Sequence, residues 1–264
     1  MEARTQFLKS LIRRTLSPGL QQKLRRLYLV RRVLQSRGPE EPEGGALKEL
    51  VCAGDSVADL GANIGLYTIA LSSLVGQNGC VYSCEPISEN YQILESVVNQ
   101  AQLSNVKLFR AAVGSRVGKR NMVIPELGDF RGYFQAHFSE TQDGGRSEIV
   151  EVLTLDELWR AKVISRLDFI KCDVEGAELG IIEGGMSLME AQLPGWLLEV
   201  SRDTSSEVFR ILRDLGYRSF VYDGCLVPTE NYRDKEFSNY FFLHPASGVW
   251  QRALPLVRSP GRRV

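Results

Sequence analysis

The run Val57-Ala58-Asp59-Leu60-Gly61-Ala62-Asn63-Ile64-Gly65-Leu66-Tyr67-Thr68 decides the fold. Its first half belongs to SVADLGA (56–62), a short apolar strand that stops at a glycine turn, and its second half opens a helix over 65–75. Gly61 permits a tight turn, and Gly65 permits close approach of a ligand or a helix. In open α/β sheets, ligands sit outside the carboxyl ends of the strands at such a turn. Glu85, twenty-four residues after Gly61, closes the next strand, CVYSCEP (80–86). A carboxylate there can accept hydrogen bonds from both hydroxyls of a ribose, so the implied ligand carries a nucleoside.

Outward from this turn the rhythm repeats. A helix over about 88–101 follows the second strand, and VKLFRAAV (106–113) reads as a third. DFIKCDV (168–174) and WLLEV (196–200) read as the fourth and fifth strands, with helices over about 177–190 and 205–215. RSFVYD (218–223) and NYFFLHP (239–245) have no obvious helix between them, which predicts an antiparallel ending. The pattern predicts an α/β fold with a seven-stranded, mostly parallel sheet covered by helices on both faces. Residues 115–153 interrupt it and read as a β insertion or lid, followed by Thr154 capping a helix with Glu157 three residues on. Helices are predicted over 5–16 and 19–35, and GPEEPEGG (38–45) has the composition of a linker. The implied organisation is a basic helical arm and linker (1–45), a main domain (46–245) and a basic tail (246–264).

The nucleoside ligand can be narrowed. An NAD site wants G-x-G-x-x-G, whereas Asn63 stands at the second glycine and the spacing is G-x-x-x-G. No GKS or GKT exists, which excludes a P-loop. Between Lys48 and Lys107 there is no Lys or Arg, while Asp55, Asp59, Glu85, Glu89 and Glu95 lie there. A polyphosphate site built from this unit would lack cationic side chains. S-adenosylmethionine has a ribose and adenine, no phosphate and a positive sulfonium, which suits carboxylates and an aromatic ring such as Tyr67.

With these residues in view, the sequence resembles the FkbM family of S-adenosylmethionine-dependent methyltransferases, within the class I Rossmann-like superfamily. The resemblance covers roughly 50–245 and rests on DLGANIGLYT (59–68), VYSCEP (81–86), NVKLFRAAVGS (105–115), VLTLDEL (152–158), FIKCDVEGAE (169–178) with Gly184, LLEV (197–200) and LGY (215–217). It implies methyl transfer, usually to a hydroxyl of a sugar, glycolipid, polysaccharide or related natural product. It also implies that Asp59, Gly61, Asn63 and Gly65 contact the methionine end of the donor, that Glu85 binds the ribose, that Pro86 shapes the adenosine pocket and that Ala112 neighbours the adenine. Ala62, Tyr67, Thr68 and Asp173 complete the expected cofactor-binding set.

The acids of Lys171-Cys172-Asp173-Val174-Glu175-Gly176-Ala177-Glu178 end the fourth strand at the same sheet edge. Methyl transfer needs nucleophile, carbon and sulfur in line, and a hydroxyl is a poor nucleophile unless its proton is taken as the bond forms. Asp173 or Glu175 is the expected residue that orients or deprotonates the acceptor, while Glu178 suits the dipole of the following helix. His137, in the insertion, is a further catalytic candidate, with a packing or surface role as its ordinary alternative. Glu199, ending the fifth strand, could face the acceptor or join Asp173 on a divalent metal, but no ligand cluster demands one. The other readings are a nucleoside-binding scaffold without catalysis, N-methylation, and an NAD-linked oxidoreductase.

Charge is balanced, 32 basic against 32 acidic residues, yet unevenly placed. Residues 1–38 carry ten Lys/Arg and a single acid, Glu2, and residues 252–264 carry four Arg and no acid, so the main body is acidic. A nucleic-acid partner is not expected from that body. The arm can either contact an anionic membrane peripherally, fold back on its own domain or pair with a second copy. Five cysteines without a CxxC pair, no bilayer-length apolar run and no uninterrupted signal-like segment suggest a cytoplasmic protein.

Overall fold

The computed structural model describes residues 17–36, 38–39, 41–125, 136–138, 145–174, 176–233 and 237–258. The helix predicted over 5–16, the acid Glu175, most of the insertion's tip and the end of the tail lie outside these residues. The chain begins with helix α1 (Pro18–Gln35), whose first residue is a proline that costs no intrahelical bond at that position, and α2 (Glu43–Leu50). Then come β1 (Ser56–Leu60), α3 (Leu66–Val75), β2 (Cys80–Cys84), α4 (Ser88–Gln100) and β3 (Val106–Phe109). The third strand expected over 106–113 stops at Phe109, its last two residues form β4 (Ala112–Val113) in a second sheet, and the insertion supplies β5 (Gly118–Pro125), β6 (His137–Phe138) and β7 (Gly145–Leu153). The chain resumes with α5 (Leu155–Arg160), β8 (Phe169–Cys172), α6 (Glu178–Glu183), α7 (Met186–Gln192), β9 (Gly195–Glu199), α8 (Ser205–Asp214), β10 (Arg218–Tyr222), β11 (Leu226–Thr229), β12 (Asn239–Leu243) and α9 (Gly248–Ala253).

The main sheet runs β11-β10-β12-β9-β8-β1-β2-β3. From β9 to β3 neighbouring strands are parallel, and β12 inserts antiparallel between β9 and β10. Alternation along the central strands feeds two cores. Ala58, Leu60, Ile170, Cys172 and Leu198 join one cluster, while Val57, Phe169, Leu197 and Phe241 join the other on the opposite face. Burial on both faces is why β1 and β8 read as nearly continuous apolar runs. The insertion forms its own sheet, β4-β7-β5-β6, with an apolar side built from Met122, Ile124, Val150 and Val152.

Three further features depart from the sequence reading. The seven expected strands gain an eighth, β11, which pairs antiparallel with β10 at the sheet edge and tolerates Pro228 there. The supposed linker gives way at Glu43 to α2, so a boundary at residue 45 would cut a helix that buries Ala46, Leu47 and Leu50. The C-terminal stretch to Arg258 is no free tail. The Ser247 hydroxyl accepts a bond from the Trp250 N–H to cap α9, Val249 and Ala253 are buried, and Arg252 pairs with Asp55 at 2.8 Å. In the arm, α1 packs Leu29, Val30 and Val33 against Ile64, Ile93 and Val97. No helix among the described residues is long and apolar enough to cross a membrane.

Candidate active site

The carboxyl ends of β1, β2, β8 and β9 meet at one edge, and the site grows from the turn after β1. Gly61 has φ +75°, and a Cβ built there would lie 1.8 Å from the Asp173 carbonyl oxygen, so no side chain fits. The N–H groups of Gly61 and Ala62 donate to the Cys84 carbonyl at 3.1 and 2.9 Å, and the Asp173 N–H donates to the Leu60 carbonyl at 3.1 Å. The turn is thus bolted to the strand on either side. Asn63 takes φ +53°, a conformation asparagine tolerates better than most residues. Gly65 (φ +98°) lets α4 come close, since a Cβ there would lie 2.8 Å from Leu94 Cδ1. The Ala62 methyl packs with Leu94 and Val98, so this residue shapes the turn from behind.

Glu85 joins the two loops. Its Oε2 accepts the Asn63 N–H and its Oε1 the Ile87 N–H, both at 2.9 Å. Burial pushes its carboxyl up to about 7, against the opposing pull of those backbone donors. The Asn90 side chain on α4 also donates to this carboxylate, and the acceptor capacity left beyond these three bonds would serve a ribose hydroxyl. Pro86, Ala111, Ala112 and Val113 continue an apolar cleft from Glu85, and Met122, Ala136 and Phe138 reach it from the insertion sheet.

Asp59 is fully buried. The Thr68 hydroxyl donates to its Oδ2 at 2.6 Å and contacts Ser83 Oγ at 3.1 Å, which places Thr68 under the turn as a buried support. Register sets Lys171 of β8 directly beside Asp59 of β1. Lys171 Nζ donates to Asp173 Oδ2 at 3.2 Å and lies 4.5 Å from the Tyr67 ring centroid. Burial alone would lower the Lys171 ammonium, but Asp173 and Asp59 more than reverse this and hold it above its ordinary value. Burial raises Asp59, with Lys171 pulling the other way. The site therefore does contain a cation, although β1 and β2 carry none, and a face of the Tyr67 ring meets an ammonium where the sequence suggested the sulfonium.

Asp173 sits at the opening, its side chain 41% exposed. Burial of the rest would raise its carboxyl, yet Lys171 and a hydrogen bond shared with Glu199 bring it below the usual carboxylate range. The Asp173 and Glu199 carboxyl groups thus meet in a hydrogen bond at the opening. Among the described residues no three His, Cys, Asp or Glu side chains converge as a metal site. Glu178 is buried and structural: it accepts from the Gly176 N–H at 2.8 Å and from the Ser201 and Thr204 hydroxyls at 3.2 Å, tying α6 to the loop after β9. His137 is exposed on β6, and the cleft is lined by its neighbours Ala136 and Phe138, so this histidine is not gathered with Asp173. Lys171, Met122 and Phe138 were not assigned from sequence. Lys171 lies inside the quoted KCDVEGAE run, but its meaning appears only through register.

The profile of the methyltransferase FkbM domain matches residues 59–219, from the buried acid of β1 to the start of β10. The chain belongs to the FkbM methyltransferase family. Its sheet order and the antiparallel β12 are those of a class I, Rossmann-like methyltransferase fold. Among solved structures it is similar to a methyltransferase FkbM from Methylobacillus flagellatus KT, at 15% identity and a TM-score of 0.49 over 83% of this chain and 59% of that one. This chain thus spans under two thirds of that relative's length. It is also similar to a SAM-dependent methyltransferase from Aquifex aeolicus (18% identity, TM-score 0.40, 77% and 87% covered) and to a SAM-dependent O-methyltransferase from Thermotoga maritima (15% identity, TM-score 0.44, 81% and 69% covered). Comparison with curated protein sequences gives no significant match.

Membership of the FkbM family implies S-adenosylmethionine as the methyl donor, and the residues present fit it. Asp59 Oδ1 and Asn63 Oδ1 are buried at the turn without a hydrogen-bond partner among the described residues, two acceptors that a ligand bearing N–H donors would satisfy. Glu85 has acceptor capacity for ribose hydroxyls, and the apolar cleft beyond Pro86 suits a purine.

Proposed function

We propose that this chain transfers a methyl group from S-adenosylmethionine to a hydroxyl oxygen of a sugar, glycolipid, polysaccharide or related natural product. The carrying observation is Asp173, exposed at the opening and in contact, through its backbone, with the donor turn at Gly61. When bound, S-adenosylmethionine supplies an electrophilic methyl carbon on a positively charged sulfur. Asp173, kept ionised by Lys171 and the Glu199 hydrogen bond, accepts a hydrogen bond from the acceptor hydroxyl and directs an oxygen lone pair inward. Its low basicity suits a proton taken late, as the carbon–oxygen bond forms, and that proton settles on Asp173. Glu85 holds the ribose, and the Asp59–Lys171–Tyr67 stack keeps the floor of the turn fixed. Glu175 remains a second acid candidate from sequence alone.

The test is methyl transfer from labelled donor onto a panel of hydroxylated and amine-bearing acceptors, together with calorimetry of S-adenosylhomocysteine binding. Asp173→Asn should leave product affinity within about threefold while lowering turnover by about a hundredfold or more. Undiminished turnover in that variant would overturn the assignment of Asp173. Label found only on nitrogen would overturn the oxygen assignment, and tight product binding with no transfer to any acceptor would favour a non-catalytic nucleoside-binding role.

A further inference from the structure

Of the seven large hydrophobic residues exposed among the described residues, four share α1: Leu20 (44%), Leu24 (45%), Leu27 (57%) and Tyr28 (63%). At 3.6 residues per turn they fall within an arc of about 100° on the side away from Leu29, Val30 and Val33, which are buried against Ile64 and α4. Arg31 continues the same arc one turn further along. Lys23 and Arg32 flank it, each about 40° beyond one border, and all three basic residues are exposed. The remaining arginines of the helix face the protein: Arg25 pairs with Glu89, and Arg26 donates to the Gln92 carbonyl at 2.8 Å and to Ser96 Oγ. No Asp or Glu occurs anywhere in Pro18–Gln35.

We infer that this outward face of α1 is a docking surface for an anionic lipid membrane. An apolar strip edged by cations on both sides lets leucines and a tyrosine enter the headgroup boundary while Lys23, Arg31 and Arg32 meet lipid phosphates and carboxylates. A second copy of the chain is the poorer occupant. Two-fold pairing of this face would bring the same cations of both copies together with no acid on either helix to neutralise them. The opposite side of α1 packs on Ile64, inside the donor turn, so docking would hold the candidate active site beside the lipid surface. The inference stands apart from the nature of the methyl acceptor.

Vesicle flotation of the full chain tests it, using phosphatidylcholine vesicles with and without about a third anionic lipid. The intact protein should float with the anionic vesicles only, and raising the salt should release it several-fold. Replacing the four apolar residues together (L20S, L24S, L27S, Y28S) should reduce the bound fraction about tenfold, and K23E with R31E and R32E should do so independently. Both variants should keep the parent's melting temperature and S-adenosylhomocysteine affinity, because none of these residues touches the site. An intact protein that ignores anionic vesicles, equal binding to uncharged vesicles, or undiminished binding by the variants would overturn the inference. So would a dimer of the intact chain, seen by light scattering, that the variants dissolve while neither form binds vesicles.

Discussion

The two sides of the candidate site are built differently. The donor side is local: one turn of five residues, one neighbouring loop, and backbone hydrogen bonds from Gly61, Ala62 and Asn63 that fix it. The acceptor side is assembled at long range. Lys171 belongs to a strand more than a hundred residues beyond β1, Asp173 directly follows that strand, and Glu199 comes from the next one. A local device can be recognised from a short run of letters and broken by a single backbone change. A dispersed one depends on charge pairing across strands and should fail in graded ways.

The sharpest test of that contrast is Gly61→Ala. A methyl group has no room against the Asp173 carbonyl and the backbone sits at positive φ, so a loss of about 3 kcal/mol or more in stability is expected, with no detectable S-adenosylhomocysteine binding by calorimetry. Lys171→Met comes next. Removing the cation leaves Asp59 and Asp173 facing each other without compensation, at a cost of about 3 kcal/mol near neutral pH. Protonating those acids relieves the repulsion, so the gap in melting temperature from the parent should narrow as pH falls. Turnover of the Asp173→Asn variant then reads the acceptor side alone.

Glu85→Gln is smaller and has a pH signature. The Glu85 carboxyl is raised to about 7 by burial, and ribose hydroxyls, as donors, favour the ionised form. Product affinity of the parent should therefore improve as pH rises through 7, with protons released on binding at lower pH. The glutamine variant should bind about tenfold more weakly at pH 8 and lose this dependence. A parent that binds more weakly at pH 8 than at pH 6 would contradict the ribose role. His137→Ala should change turnover less than about twofold, since the side chain stands outside the cleft.

The same contrast explains what could be seen in the letters. Gly61, Glu85 and the order of βα units are legible because turn chemistry and apolar runs are properties of short windows. Thr154 is another such case: its hydroxyl accepts the Glu157 N–H at 3.1 Å, as the spacing implies. Lys171 escaped notice because its meaning lies in its partner, Asp59, fixed only once β1 and β8 are in register. The run GPEEPEGG looks like a connector until Ala46, Leu47 and Leu50 are seen buried on one face of the helix it begins. LVPT is too short, and carries a proline, to announce itself as a strand without β10 beside it.

One contact has a kinetic meaning. Gly61 and the Asp173 carbonyl are too close to shift past each other, so whatever settles the first loop also settles the second. On the reading proposed above, order-of-addition kinetics should find the nucleoside entering before the acceptor.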